Sequence, residues 1–229
     1  MEFIVLLIIN IITYIILKFI FDANLKKLKQ IGENKELDEL TQKYPENIEI
    51  CKWYLKKLNN ESVKIEEDKS SNATLYLVTS NKIFIANLKN SFTRIQTIAH
   101  ECLHSIQSKK MLWFNFIFSN IYLIYFAITC ILGIMKILPN KMMFLSVLIL
   151  FGFIYYAVRT YLENDAMIKA KFLAKEYMQE IGLSDKEEID KIIGEYEKLN
   201  DVGIKCTNFQ LFGSTLVKNL ILTLIFIIF

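Results

Sequence analysis

Three stretches of this chain are apolar for long enough to span a bilayer: Phe3 to Phe21, Leu112 to about Leu138, and Met142 to Tyr161. A fourth, Leu211 to Phe229, is apolar except for Lys218 and Asn219. It reads either as a fourth span or as a helix buried against the others, because the run after Asn219 is short. Inside a bilayer every backbone N–H and C=O needs an internal partner, which a helix supplies. Of all residues 53% are hydrophobic, mean hydropathy is +0.32, and there are only 2 prolines and 7 glycines. The expected fold class is therefore a membrane α-helical protein with three to four transmembrane helices and a small α+β cytosolic part.

Charge sets the expected topology. Met1-Glu2 lacks a basic leader region and no small-x-small site follows the first run, so an uncleaved anchor is expected. Lys26, Lys27 and Lys29 follow that anchor and Lys109 and Lys110 precede the second run. Pro139-Asn140 is a tight turn between two spans, flanked by Lys136 and Lys141. The positive-inside rule puts the stretches outside this hairpin in the cytoplasm of a multi-pass cell-membrane protein. The organisation expected is an anchor at 1–21, a cytosolic α+β segment at 22–110, and a transmembrane hairpin at 111–161. A cytosolic helical segment at 162–210 and an apolar C-terminal helix at 211–229 complete it. The net charge of +3 is small and the lysines sit beside apolar runs, so the lipid bilayer is the expected partner and nucleic acid is not.

Within 22–110, helical periodicity from Leu25 to about Asn59 breaks near Lys43-Tyr44-Pro45 and predicts two helices. Alternation at Val63-Lys64-Ile65, Leu75-Tyr76-Leu77-Val78 and Ile83-Phe84-Ile85 predicts a strand followed by a β-hairpin turning at Ser80-Asn81. Asn90 or Ser91 is the expected cap of a helix running to about Lys110, with Ile95, Ile98, Ala99, Cys102, Leu103 and Ile106 on its apolar face.

That helix carries His100-Glu101-Cys102-Leu103-His104, a His-Glu-x-x-His pattern that uses the only two histidines in the chain. One helical turn places both imidazoles on one face, within reach of one ion. Glu101, rotated about 100° from His100, stands beside such an ion and can act as general base toward an activated water. Zinc held by two histidines needs a third protein ligand, and no histidine remains. The first polar stretch beyond the hairpin is Arg159-Thr160-Tyr161-Leu162-Glu163-Asn164-Asp165-Ala166. Glu163 is the favoured ligand there and Asp165 the alternative.

Helical periodicity continues to Met178. Ser184-Asp185-Lys186-Glu187 reads as a capping box that opens a helix to about Leu199. The four cysteines, Cys51, Cys102, Cys130 and Cys206, form neither a C-x-x-C pair nor a disulfide framework, which suits a reducing compartment.

An N-terminal anchor, a short α/β segment, Ala99-His100-Glu101-Cys102-Leu103-His104-Ser105-Ile106-Gln107, a two-span hairpin and Glu163-Asn164-Asp165-Ala166 follow one another here. This layout resembles the YugP-type membrane zinc metallopeptidases, which are gluzincin-like. The resemblance implies one catalytic zinc ion bound by His100, His104 and Glu163, with Glu101 as the catalytic acid/base. Asp165 stands where that family usually has asparagine. A more distant likeness joins the chain to HtpX-like and prenyl-protein endopeptidases, which usually carry an aspartate where this chain has Met167.

The function expected is hydrolysis of peptide bonds in membrane or membrane-proximal substrates, with Tyr161 or Tyr156 as candidates for oxyanion help. The alternative is a membrane scaffold that keeps the metal as a structural clasp, with Cys206 as a fourth ligand. A transporter is disfavoured, since the spans hold no buried charge pair.

Overall fold

The computed structural model describes residues 1–68, 71, 73–88 and 90–229. It is mostly helical, with eight helices and one small sheet among the described residues. The helices are α1 (Glu2–Phe21), α2 (Leu25–Gly32), α3 (Lys35–Gln42), α4 (Asn47–Lys57), α5 (Arg94–Ile106), α6 (Lys109–Ile134), α7 (Lys141–Ile181) and α8 (Lys186–Ile228). The strands are β1 (Lys64–Asp68), β2 (Leu75–Leu77) and β3 (Lys82–Ala86). Among the described residues, α1, α6, α7 and α8 each belong to a helix long and apolar enough to cross a membrane.

The chain divides into two compact units. The first comprises Met1–Ala23, Phe114–Tyr161 and Lys205–Phe229. Its buried centre is Tyr122, Leu138, Leu145, Leu148, Leu222 and Phe226. Aromatic contacts tie α1 to α8 in this unit, with Phe3 meeting Phe226 at 5.6 Å and Tyr14 meeting Phe209 at 5.5 Å between ring centroids. Most of the other large apolar side chains of α1 and α6 face outward. That is the inverse of a water-soluble surface and suits helices solvated by lipid.

The second unit comprises Asn24–Trp113 and Leu162–Ile204. The sheet order is β1-β3-β2, with β1 parallel and β2 antiparallel to the central β3. Strand β3 buries Ile83 and Ile85 completely, while β1 and β2 are both edges. One core joins Ile50 and Tyr54 of α4, Ile95, Ile98 and Cys102 of α5, Ala166, Ala170 and Ala174 of α7, and Ile192 and Tyr196 of α8.

Several local expectations are corrected. Residues 25–57 form three helices, because Asn34 starts a new one by accepting from the Leu37 N–H. The motif helix starts at Arg94 behind Thr93, not at Asn90 or Ser91; the Ser91 hydroxyl accepts the Thr93 N–H and so reaches only the residue before the helix. It ends at Ile106, where Gln107 turns extended, so Lys109 and Lys110 open α6 instead of closing α5. Ile106 lies off the buried face at 47% exposure. The capping box is shifted by one residue: Asp185 caps the Glu188 N–H at 2.9 Å and Glu188 returns to the Asp185 N–H at 3.3 Å. Ser184 instead receives the Tyr44 hydroxyl at 2.8 Å. Helix α8 does not stop near Leu199 but continues to Ile228. Helix α7 likewise runs unbroken from Lys141 until Gly182, whose φ of +68° closes it in the left-handed region.

Candidate metal centre

The motif helix is clamped at both ends before any chemistry enters. At its start the Arg94 guanidinium, 2% exposed, donates to the carbonyls of Thr41, Tyr44 and Pro45 and to Asn47 Oδ1, at 2.8 to 3.0 Å. Tyr54 donates its hydroxyl to the Ile95 carbonyl, and Tyr196 donates to that of Phe92. At its far end Asn60 donates to the backbone and hydroxyl oxygens of Ser105. With Ile95, Ile98, Ala99 and Cys102 fully buried, the orientation of the remaining face is set by packing.

That face presents His100 and His104, whose Nε2 atoms are 3.0 Å apart. Glu163, in the part of α7 that belongs to the same unit, brings its Oε2 to 3.4 Å from His100 Nε2 and 3.6 Å from His104 Nε2. These three residues can offer one ion a ligand atom each. Zinc sits about 2.0–2.1 Å from N and O ligands, so tetrahedral geometry separates neighbouring ligand atoms by roughly 3.3 Å. The observed triangle has that size, and two imidazoles with one carboxylate are a donor set zinc accepts. The residues present therefore fit zinc.

No protein-family model, curated protein or solved structure gives a match to this chain. The chemistry of the site rests on its own geometry.

Glu101 points past the triangle. Its Oε1 is 3.9 Å from His100 Nε2 and its Oε2 accepts the Tyr76 backbone N–H at 2.6 Å. Burial raises the pKa of this carboxyl; His100, His104 and the Tyr76 N–H pull it back, and the net shift is upward. For His104 burial acts downward, but Glu163 and Glu101 outweigh it and the imidazole is raised.

Asp165 does not join the triangle. Its Oδ1 meets Lys169 Nζ at 2.5 Å and its Oδ2 accepts from Gln107 Nε2 at 3.1 Å. Two residues along a helix is a rotation of about 200°, so Glu163 and Asp165 face different neighbours. Cys206 is buried in the other unit, outside any disulfide, and is not one of the three clustered residues. Also in that unit, Tyr156 sets its ring edge-on to Phe212 at 4.9 Å, and Tyr161 is 62% exposed.

Two residues gain a place at the site that the sequence does not assign them. Tyr76 acts through its backbone, which no side-chain pattern reveals. Gln107 meets His104 Nδ1 at 2.9 Å, and its position three residues after a histidine was the available signal.

Proposed function

We propose that this protein is a membrane-anchored, zinc-dependent endopeptidase, with His100, His104 and Glu163 as metal ligands and Glu101 as general base. The observation that carries the reading is the zinc-sized triangle of donor atoms with a buried carboxylate directly beside it. When bound, zinc would lower the pKa of a coordinated water and polarise a substrate carbonyl.

The chain's own residues supply the rest. Glu101, with its raised pKa, accepts a proton at Oε1 or Oε2 more readily than an exposed glutamate and later returns it to the leaving amine. Burial keeps bulk water from competing for that proton. Strand β2 argues for a peptide as substrate. It is a sheet edge, and its Tyr76 N–H faces Glu101 away from β3. In an antiparallel strand the N–H and C=O of one residue point the same way, so the Tyr76 carbonyl points to that edge too, beside an N–H that Glu101 holds. An extended peptide adding to this edge would pass beside the base.

The four long apolar helices support a multi-pass location in the cell membrane. Lys26, Lys27, Lys29, Lys109, Lys110 and Arg159 support a cytoplasmic site, and hence membrane proteins or peptides at the inner surface as substrates.

The test uses the full chain in nanodiscs, with metal analysis and a mixture of quenched-fluorescent peptides. Wild type is expected to hold one zinc and cleave. Glu101→Gln should keep the zinc and lose at least about 100-fold in rate, and Glu163→Ala should lose the zinc. Cleavage unchanged in Glu101→Gln overturns the reading, and zinc retained with no cleavage by wild type supports a scaffold instead.

A further inference from the structure

His104 uses one ring nitrogen toward the triangle, and the other leads away through a chain of polar groups. Its Nδ1 is 2.9 Å from Gln107 Oε1. The amide nitrogen of Gln107 is fully committed, donating to the Leu162 carbonyl at 2.8 Å and to Asp165 Oδ2 at 3.1 Å. Asp165 is held in turn by Lys169 Nζ at 2.5 Å. That ion pair leaves both Asp165 oxygens as acceptors.

The direction of every bond in this chain follows from two fixed ends. A carbonyl and a carboxylate can only accept, so the group facing both must be the Gln107 NH2. Turning the amide over would set its oxygen against two other oxygens. Gln107 Oε1 is therefore the end that faces His104, and the ring must donate from Nδ1. A neutral imidazole has one N–H, so Nε2 is left with its lone pair directed at His100 Nε2 and Glu163 Oε2. Left to itself in water, a neutral histidine ring prefers the opposite tautomer, with the proton on Nε2.

The break in the chain makes this possible. Helix α5 stops at Ile106, and Gln107 takes φ −62°, ψ 161°, with its side chain between His104 and the Leu162–Asp165 turn of α7.

We propose that Gln107 is a positioning residue that holds His104 as the Nδ1–H tautomer, with Asp165 and the Leu162 carbonyl fixing which way its amide points. The tautomer assignment stands on hydrogen-bond geometry alone, while its consequence for metal binding rests on the zinc reading above. Groups that orient a metal-bound histidine in this way typically change affinity 10- to 100-fold when removed.

The experiment is long-range 1H–15N correlation on full-length, 15N-histidine-labelled protein in detergent micelles, stripped of metal and in alkaline solution. The chain has only two histidines, so assignment needs one His100→Asn control. Wild-type His104 is expected to show the Nδ1–H pattern. In Gln107→Met that ring should move to a mixture dominated by Nε2–H, and zinc affinity by chelator competition should fall about 10- to 100-fold. Gln107→Glu combined with Asp165→Asn reverses the polarity of the second link and keeps an acceptor facing Nδ1, so it should restore the tautomer, with affinity recovered only in part because the new carboxylate oxygen meets the Leu162 carbonyl. A wild-type His104 in the Nε2–H form overturns the proposal without any variant. So does a folded Gln107→Met that keeps wild-type tautomer and affinity. A wild type that shows Nδ1–H but binds no zinc removes the metal reading and leaves the tautomer lock standing.

Discussion

The Tyr76 backbone N–H reaches across 2.6 Å to Glu101 Oε2, joining the edge of a three-stranded sheet to the helix that carries both histidines. This bond does two things to the carboxylate. It fixes the rotamer, so that Oε1 is the atom nearer His100, and it partly offsets the cost of holding a charge in a site only 8% exposed. A carboxyl that is oriented, buried and raised in pKa suits the proposed role of taking a proton and giving it back.

The metal-free protein should become less stable as pH rises. Glu101 and His104 both hold their protons more tightly folded than unfolded, from ordinary values of 4.5 and 6.5. The folded state then binds more protons than the unfolded one, and stability falls with pH. The Glu101 contribution is complete below 4.5 and is lost as pH climbs through its raised folded pKa; that of His104 is complete below 6.5 and is lost above it. Thermal unfolding of stripped protein from about pH 5 to about pH 9 checks this, with Glu101→Gln flattening the lower part of the slope. Added zinc should reverse the trend, because its ligands must be deprotonated.

Arg94→Ala should destabilise the second unit by on the order of 3 kcal/mol or more, since it strips three backbone carbonyls and Asn47 of their donor in a fully enclosed site. Arg94→Lys should recover only part of this, because an ammonium cannot span the four acceptors as a planar guanidinium does. A fluorescence melt in a Trp113→Phe background reports it, since the remaining Trp53 ring packs 5.1 Å from Tyr177 in the same unit.

Gly152→Ala should destabilise the first unit. A Cβ there would lie 2.2 Å from Thr215 Cγ2 and 3.1 Å from the Tyr122 hydroxyl. Relieving the clash means moving packed helices, at a cost of about 1–3 kcal/mol. Thr215→Ser removes the offending methyl, so the double variant should regain most of the loss in a thermal-shift measurement in detergent.

Much of the architecture was legible because it depends on neighbours in sequence. Apolar runs longer than a bilayer is thick become long helices whatever surrounds them, and alternation around a short turn pairs β2 with β3. Local signals failed where two candidates lay side by side. Asn90 or Ser91 suits a helix start that falls at Thr93, and Ser184 one that falls at Asp185. Distant partners decided each case: Arg94 is anchored by the α3–α4 connection, and Ser184 is taken by Tyr44.

The same division runs through the site. His100 and His104 share a face because a helix repeats every 3.6 residues, and that much the sequence determined by itself. Which acid stands beside them was a matter of tertiary structure. Glu163 and Asp165 are both carboxylates, and the packing of α7 through Ala166, Ala170 and Ala174 turns the favoured one toward the imidazoles and the other toward Gln107 and Lys169. Helical periodicity orders a side chain relative to its own axis, whereas the rotation of that axis against another element is set by burial of groups far away in the chain.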